Sequence, residues 1–225
     1  MNIPLSPRLL ACAGFVAPGD RVADIGCDHG YLSIYLLHNG LASAVIASDI
    51  NEGPLQSAVR NAEKFGVRDK IRFFLSDGVR NIPRDFDTLV CAGMGGDTMI
   101  HILESAPWLK SEQYRLILQC QSKRPELRKY LYQQGYAIRR ETLAQDGKFI
   151  YPIAEVVYAP GESLREAEYY ITPALLASGS PLLSAFLQRV TDGLQKTVDG
   201  LARSGGETYE EYKQILEELN HVHRS

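Results

Sequence analysis

No stretch of this chain is apolar for long enough to cross a bilayer, and no basic-then-apolar leader opens it. The sequence therefore predicts neither a membrane span nor a secretory signal. Cysteine is scarce: Cys12, Cys27, Cys91 and Cys120 lie far apart, form no C-x-x-C pair and sit in or beside apolar stretches. That excludes a disulfide framework and predicts reduced, buried thiols in a cytoplasmic protein. No His, Cys, Asp or Glu grouping has ligand spacing, so no metal site is expected. Positive charge is not in excess either, since 24 Lys/Arg face 27 Asp/Glu for a net charge of −3. Residues 161–225 alone carry six Lys/Arg and ten Asp/Glu, so the acidic bias belongs to the C-terminal part. An anionic polymer would have to be met by local patches rather than by the overall field.

What is present suits a packed globular chain, with 45% hydrophobic and 23% charged residues over 225 positions. The first 160 residues alternate between two periodicities. Strands are predicted at Arg21–Ile25, Ala44–Ser48, Ile71–Leu75, Thr88–Ala92 and Arg115–Gln119. Helices are predicted over His29–Asn39, Pro54–Phe65, from Gly95-Gly96 to Glu104, and over Pro125–Gln134. Tyr136–Leu143 and Phe149–Tyr158 then read as two antiparallel strands joined around Asp146-Gly147. This order implies an α/β fold, a mostly parallel sheet covered by helices on both faces and closed by an antiparallel hairpin.

Beyond Pro160-Gly161 the pattern becomes helical. Thr172-Pro173 opens a short helix and Ser180-Pro181 is placed to cap a longer one. Leu183, Leu187, Val190, Leu194, Val198 and Leu201 make one apolar stripe, and Tyr209, Tyr212, Leu216 and Leu219 a second. Ser204-Gly205-Gly206 turns between them, and Thr208 with Glu211 is spaced as a capping box. The expected organisation is a nucleotide-binding domain at 1–160 and a helical hairpin, coiled-coil-like, at 161–225. The stripes would face each other and the main domain.

The chemistry concentrates where the first strand ends, in Asp24-Ile25-Gly26-Cys27-Asp28-His29-Gly30-Tyr31. Glycines there let the backbone turn sharply and approach a ligand, and a following helix would aim its N–H groups at it. A dinucleotide site would space its glycines G-x-G-x-x-G to admit a pyrophosphate. Acidic residues on both sides of Gly26 instead suit a cationic cofactor, the sulfonium and ammonium groups of S-adenosylmethionine. Asp49 ends the second strand, where a carboxylate can accept both ribose hydroxyls, and the apolar Ile50 follows it. Asp77-Gly78 follows the third strand, in reach of an adenine ring. Ala92-Gly93-Met94-Gly95 follows the fourth and reaches the methyl-transfer face. A lone Asp after a strand is ordinarily a turn or cap residue, but four such sites at successive carboxyl ends form a pattern.

The strings ADIGCDHGYLSIYL (23–36), ASDINEGPLQSA (47–58), SDGVRNI (76–82), AGMGGDTMIHIL (92–103) and LILQ (116–119) resemble the bacterial tRNA (adenine-N1)-methyltransferases of the TrmK family. The resemblance runs from Leu5 to about Tyr158 and extends to an appended helical domain. It implies a Rossmann-like class I methyltransferase sheet, S-adenosylmethionine as cofactor, and tRNA as partner, methylated at adenine 22 in the D-loop region. Family members commonly read LQP-N after the fifth strand, whereas here Gln119 is followed by Cys120-Gln121-Ser122. Arg8 resembles the family's opening segment and would reach the methionine carboxylate, with His29 and Tyr31 lining the same pocket.

Methyltransferases acting on the adenine amino group usually place Asn/Asp-Pro-Pro-aromatic after the fourth strand. Ala92–Gly96 occupies that place here. Ring N1 has an in-plane lone pair and needs no such motif. Asp28 is the candidate catalytic residue, a carboxylate that stabilises the cationic product ring. The alternative for Asp28 is capping of the first helical turn with a role in cofactor binding. N1 lies on the Watson–Crick edge, so the base must leave its stack. Lys123, Arg124, Arg128 and Lys129 form the basic cluster expected to meet tRNA phosphates, with Arg139-Arg140 near it. Two other readings stay open: a methyltransferase for a small molecule or a protein, which would ignore tRNA, and a cofactor-binding module without turnover. The apolar stripes are compatible with a monomer or a weak homo-oligomer.

Overall fold

The computed structural model describes residues 3–202 and 206–224. Seven strands form one sheet: β1 (Asp20–Ile25), β2 (Ala42–Asp49), β3 (Ile71–Leu75), β4 (Thr88–Met94), β5 (Arg115–Cys120), β6 (Tyr136–Asp146) and β7 (Phe149–Tyr158). Their order is β3-β2-β1-β4-β5-β7-β6. The first five are parallel, and β7 is antiparallel to both β5 and β6. The expected mostly parallel sheet with a closing hairpin is what the chain forms.

Helices α1 (Pro7–Ala13), α2 (Tyr31–His38) and α3 (Glu52–Lys64) cover one face. Cys12, Leu32, Ile34, Leu36, Ala58 and Ala62 bury there against Val22, Val45 and Val90. Helices α4 (Gly96–Glu104) and α5 (Arg124–Gln133) cover the other, burying Met99, Ile102, Leu127 and Leu131 against Ile25, Leu89 and Leu116. Alternation within each strand sends successive side chains to opposite cores, so strands buried on both faces read as apolar runs. Chain connections run to opposite faces from the neighbouring strands β1 and β4. A crevice opens between them at their carboxyl ends, the place where such sheets bind ligands.

Several helical boundaries differ from expectation, among them the start of α3, at Glu52 rather than Pro54. α2 begins at Tyr31 rather than His29, because Gly30 is left-handed (φ 73°) and cannot continue a helix inward. The helix α7 (Leu183–Leu201) starts two residues after Ser180-Pro181. Ser180 closes a turn instead, its carbonyl accepting from the Leu183 N–H at 3.0 Å. The helix α8 (Glu207–Arg224) already includes Thr208, so Thr208 and Glu211 do not cap it as a box. Ser204 and Gly205 of the expected turn lie outside the described residues.

The short helix α6 (Pro173–Leu176) is capped by Thr172, whose Oγ1 accepts from the Leu175 N–H at 3.0 Å. Leu187, Leu194 and Val198 of α7 pack with Leu216 and Leu219 of α8 in a third core. Leu143 and Ile150 from the β6–β7 hairpin enter it too, joining the helices to the sheet. The stripes therefore face each other and the main sheet, as their spacing predicts. Among the described residues no helix is long and apolar enough to cross a membrane, and no cluster of three or more His, Cys, Asp or Glu could hold a metal. All four cysteines are buried and unpaired.

Candidate active site

A cavity of about 280 Å³ opens at the carboxyl ends of β1 and β4, lined by Arg8, Asp24, Gly26, Asp28, Tyr31 and Gly93 among others. The β1 turn shapes it through backbone conformation. Gly26 is left-handed (φ 71°), and a Cβ there would stand 2.3 Å from Met94 Cε. A Cβ on Gly30 (φ 73°) would meet Ala58 Cβ at 2.8 Å and its backbone Cα at 3.2 Å. The first glycine keeps the cavity open and the second lets the turn dock on α3. Asp28 is also left-handed (φ 50°), one of two non-glycine residues so placed among those described. The other is Lys123 (φ 54°), on the loop after β5 at the same edge of the sheet. Strained backbone of this kind clusters where ligands are held.

The carboxylates are held in different ways. Asp24 is 4% exposed and accepts from Ser33 Oγ at 2.6 Å. Burial pushes its pKa up to about 6, against the lowering effect of hydrogen bonds from the Ser33 hydroxyl and backbone N–H. Asp49 is buried, with Oδ2 accepting from the Asp28 N–H at 3.1 Å and Oδ1 from the Asn51 N–H at 2.9 Å. Each oxygen keeps a lone pair for a further donor. Asp28 directs its side chain outward, with Oδ1 3.7 Å from His29 Nε2. It does not cap α2: the N-cap is Gly30, and no side chain accepts from the first turn. The capping alternative for Asp28 is thereby overturned, because the helix begins three residues beyond it.

The other expected cofactor residues fall around this cavity or at the adjacent strand end. Ala92 and Met94 line it with Gly93. His29 lines it as well, and its carbonyl accepts from Asn61 Nδ2 at 2.9 Å. Gly95 caps α4, with Ser122 Oγ 3.0 Å from where its Cβ would be. Ile50 is 63% exposed, an apolar side chain left in solvent just past Asp49. Asp77 pairs with Arg80 at 2.8 Å, and Gly78 (φ 58°) packs on Ile102.

One residue of this site escaped the sequence reading. Gln119, fully buried at the end of β5, accepts through Oε1 from the Gly93 N–H and from Arg8 Nη1, both at 2.9 Å. Its Nε2 has no partner among the described residues. Gln119 thus fixes the β4 turn and holds Arg8 in the cavity, while Asp146 Oδ2 lies 3.6 Å from Arg8 Nε. The only hint in the sequence is a polar residue closing the apolar run LILQ, which does not reveal its partners.

The basic cluster is corrected. Arg128 is 4% exposed, paired with Glu141 and donating to the carbonyls of Tyr169 (3.0 Å) and Tyr170 (2.7 Å). It cannot meet a phosphate, because the packing of α5 on β6 and on the Tyr169–Tyr170 segment turns it inward. Lys129 pairs with Glu166 at 2.8 Å and Lys123 with Asp97 at 2.5 Å. Arg124 lies over the Phe186 ring, 5.2 Å from its centroid, and burial lowers its pKa. Arg139 and Arg140 pair with Glu162 and Glu155.

Comparison with known proteins agrees with this geometry. The family described as "Methyltransferase domain" matches residues 5–154. The Bacillus subtilis (strain 168) tRNA (adenine(22)-N(1))-methyltransferase is 39% identical over 149 residues, spanning 65% of this chain and 63% of that enzyme. The crystal structure of the B. subtilis m1A22 tRNA methyltransferase TrmK superposes with a TM-score of 0.81 at 30% identity, covering 99% of this chain and 97% of that one. Streptococcus pneumoniae Sp1610, crystallised with S-adenosyl-L-methionine, superposes with a TM-score of 0.84 at 29% identity over 96% and 99% of the two chains. With its sheet order, its acidic β1 turn and these matches along nearly its whole length, the chain belongs to the TrmK family of methyltransferases.

Proposed function

We propose that this chain is an S-adenosylmethionine-dependent tRNA methyltransferase that modifies N1 of adenine 22. The observation that carries the reading is the β1–β2 carboxylate arrangement facing a glycine turn at the end of β4. Asp24 suits an ammonium group, Asp49 a pair of ribose hydroxyls, and Arg8 a carboxylate. The open backbone at Gly26 and Gly93 leaves room for a ligand where a Cβ would intrude. The adenine end falls to Ile50, Asp77 and Gly78, with Gly30, His29 and Tyr31 completing the turn and Ala92–Gly95 the reacting face. When bound, S-adenosylmethionine supplies an electrophilic methyl group that the N1 lone pair of adenine takes in an in-line displacement.

No general base is needed, since neutral N1 carries no proton to remove. The product ring is cationic, and Asp28 at the cavity rim supplies a carboxylate for that charge. Its backbone N–H meanwhile holds Asp49 in place, so one residue serves both faces of the turn. Residues 1–160 act as the catalytic unit and 161–225 as a substrate-side appendage. Lys123 and Arg124 remain on the tRNA side; Arg128 does not.

Incubation with unmodified tRNA transcripts and labelled S-adenosylmethionine, followed by nucleoside analysis, tests the reading. It expects 1-methyladenosine at position 22, and no 1-methyladenosine from any tRNA would refute it. Asp28→Asn should bind cofactor normally and methylate on the order of tenfold more slowly or worse; wild-type turnover would remove Asp28 from the chemistry.

A further inference from the structure

The strand directions bring a second surface to the edge where the cavity opens. Because β7 is antiparallel to both β5 and β6, β6 runs parallel to β5 and ends at the same carboxyl edge. The β6–β7 turn therefore stands at the cavity rim, and the 3.6 Å approach of Asp146 to Arg8 fixes it there. The turn presents Phe149, an aromatic side chain 51% exposed. Tyr151 shares its face of β7 at 6.0 Å between ring centroids, and Lys148 Nζ lies 5.3 Å from the Phe149 ring. Arg189 of α7 donates to the Lys148 carbonyl at 2.8 Å, tying the turn to the helical region.

From Arg189 a groove of about 350 Å³ runs between α7 and the start of α5. Lys123, Arg124, Tyr170 and Tyr212 line it, together with one carboxylate, Glu126. Lys148, Arg189 and Arg124 make no ion pair among the described residues, although acidic residues outnumber basic ones in the chain. Elsewhere Arg21, Arg72, Arg139 and Arg165 are matched by carboxylates, and Lys64, Lys70 and Arg84, also without an ion pair among the described residues, precede β3 and β4 at the opposite edge of the sheet.

We propose that Phe149, Lys148 and Arg189, continued by the groove to Lys123 and Arg124, form a docking surface for unpaired RNA beside the target base. This inference rests on the tRNA reading of the active site. A base entering the cavity must leave its stack, and its neighbours lose a stacking partner at that moment. An exposed ring at the rim replaces that partner, since stacking on an aromatic side chain accepts any base. The unneutralised cations beside the ring and along the groove meet the flanking phosphates. A protein partner would need a carboxylate placed opposite each of these three charges, whereas a nucleic-acid backbone supplies an anion at every residue.

The test measures tRNA affinity over a range of salt concentrations, with S-adenosylmethionine affinity and melting temperature as controls. Phe149→Ala should weaken tRNA binding about tenfold, while Phe149→Trp stays within about threefold of wild type. Lys148→Glu with Arg189→Glu should weaken binding further and lower the slope of log affinity against log salt by about two. Cofactor affinity should not move in any variant. Phe149→Ala binding tRNA as wild type does would overturn the surface, as would a change in oligomeric state without loss of tRNA affinity. The two readings fail separately. Binding that depends on Phe149 without 1-methyladenosine refutes the activity alone, and 1-methyladenosine formed with Phe149-independent binding refutes the surface alone.

Discussion

Among the regions of this molecule that bury charge, two treat it in opposite ways. Between α5, β6 and α6, Arg128 pairs with Glu141, donates to two carbonyls, and meets Thr172 through the far oxygen of Glu141. Nearly every polar atom there has a protein partner. At the β1–β4 crevice, Asp24 is just as buried but is held by Ser33 alone, through its hydroxyl and backbone N–H, Asp49 keeps free lone pairs, and Gln119 Nε2 has no partner among the described residues. The first region is closed and the second incomplete. A buried charge whose valences are filled joins two parts of a fold; one whose valences stay open is waiting for a ligand.

The largest effect should come from opening the closed region. Arg128→Ala leaves Glu141 buried and unpaired, which should destabilise the fold by about 3–5 kcal/mol. Arg128→Met combined with Glu141→Leu should recover most of that loss. Thermal unfolding of both variants decides the matter, and a single variant as stable as wild type would show that the node is not closed. Cofactor affinity ought to change little in either.

A smaller loss follows from crowding the open region. Gly30→Ala needs a left-handed alanine and drives its Cβ against the α3 backbone, at a cost of about 2 kcal/mol. Gly26→Ala carries the same left-handed strain but meets only the flexible end of Met94, so it should melt closer to wild type than Gly30→Ala does yet lose cofactor affinity. Paired melting and calorimetric titration separate these outcomes, and equal behaviour of the two variants would contradict the geometry.

The pH dependence sharpens the contrast further. With the folded pKa of Asp24 raised to about 6 from an ordinary carboxylate value, the folded state holds a proton that the unfolded state releases. Its contribution to stability is therefore present at low pH and lost as pH rises from about 4 through about 6. Ionised Asp24 is the form that suits a cation, so cofactor affinity should rise over the same range. Titrations at pH 5 and 7 check this; equal affinities at the two values would mean that Asp24 does not meet the cofactor's charge.

The smallest effect is expected at Gln119. Gln119→Glu pairs Arg8 more tightly but puts a carboxylate oxygen without a donor where the amide nitrogen stood, so the two effects offset and stability should change by no more than about 1 kcal/mol. Cofactor affinity should fall severalfold because Arg8 is neutralised. An unchanged affinity would place Arg8 outside the binding site.

Much of the candidate site was legible along the chain because its residues are local to strand ends. Asp24, Gly26, Asp28 and Asp49 each follow an apolar run, and parallel pairing brings successive carboxyl ends together without further information. Arg128 was misread for the converse reason. In sequence it is one more cation beside Arg124 and Lys129, and only the packing of α5 on β6 and Tyr169–Tyr170 turns it inward. The offset starts of α2 and α8 reflect glycine conformation and turn geometry, which short-range signals place only within a residue or two.

The sequence by itself determined the alternation of strand and helix, the acidic glycine turn after β1, and the replacement of an amine-methylation motif by Ala92–Gly96. These depend on periodicity and residue chemistry, which are carried by neighbours in the chain. Tertiary structure alone decided which charges are spent on the fold and which are left for a ligand. Arg128 with Glu141 and Arg8 with Gln119 are separated along the chain by 13 and 111 residues, and a side chain's free valences are known only when its distant partners are in place.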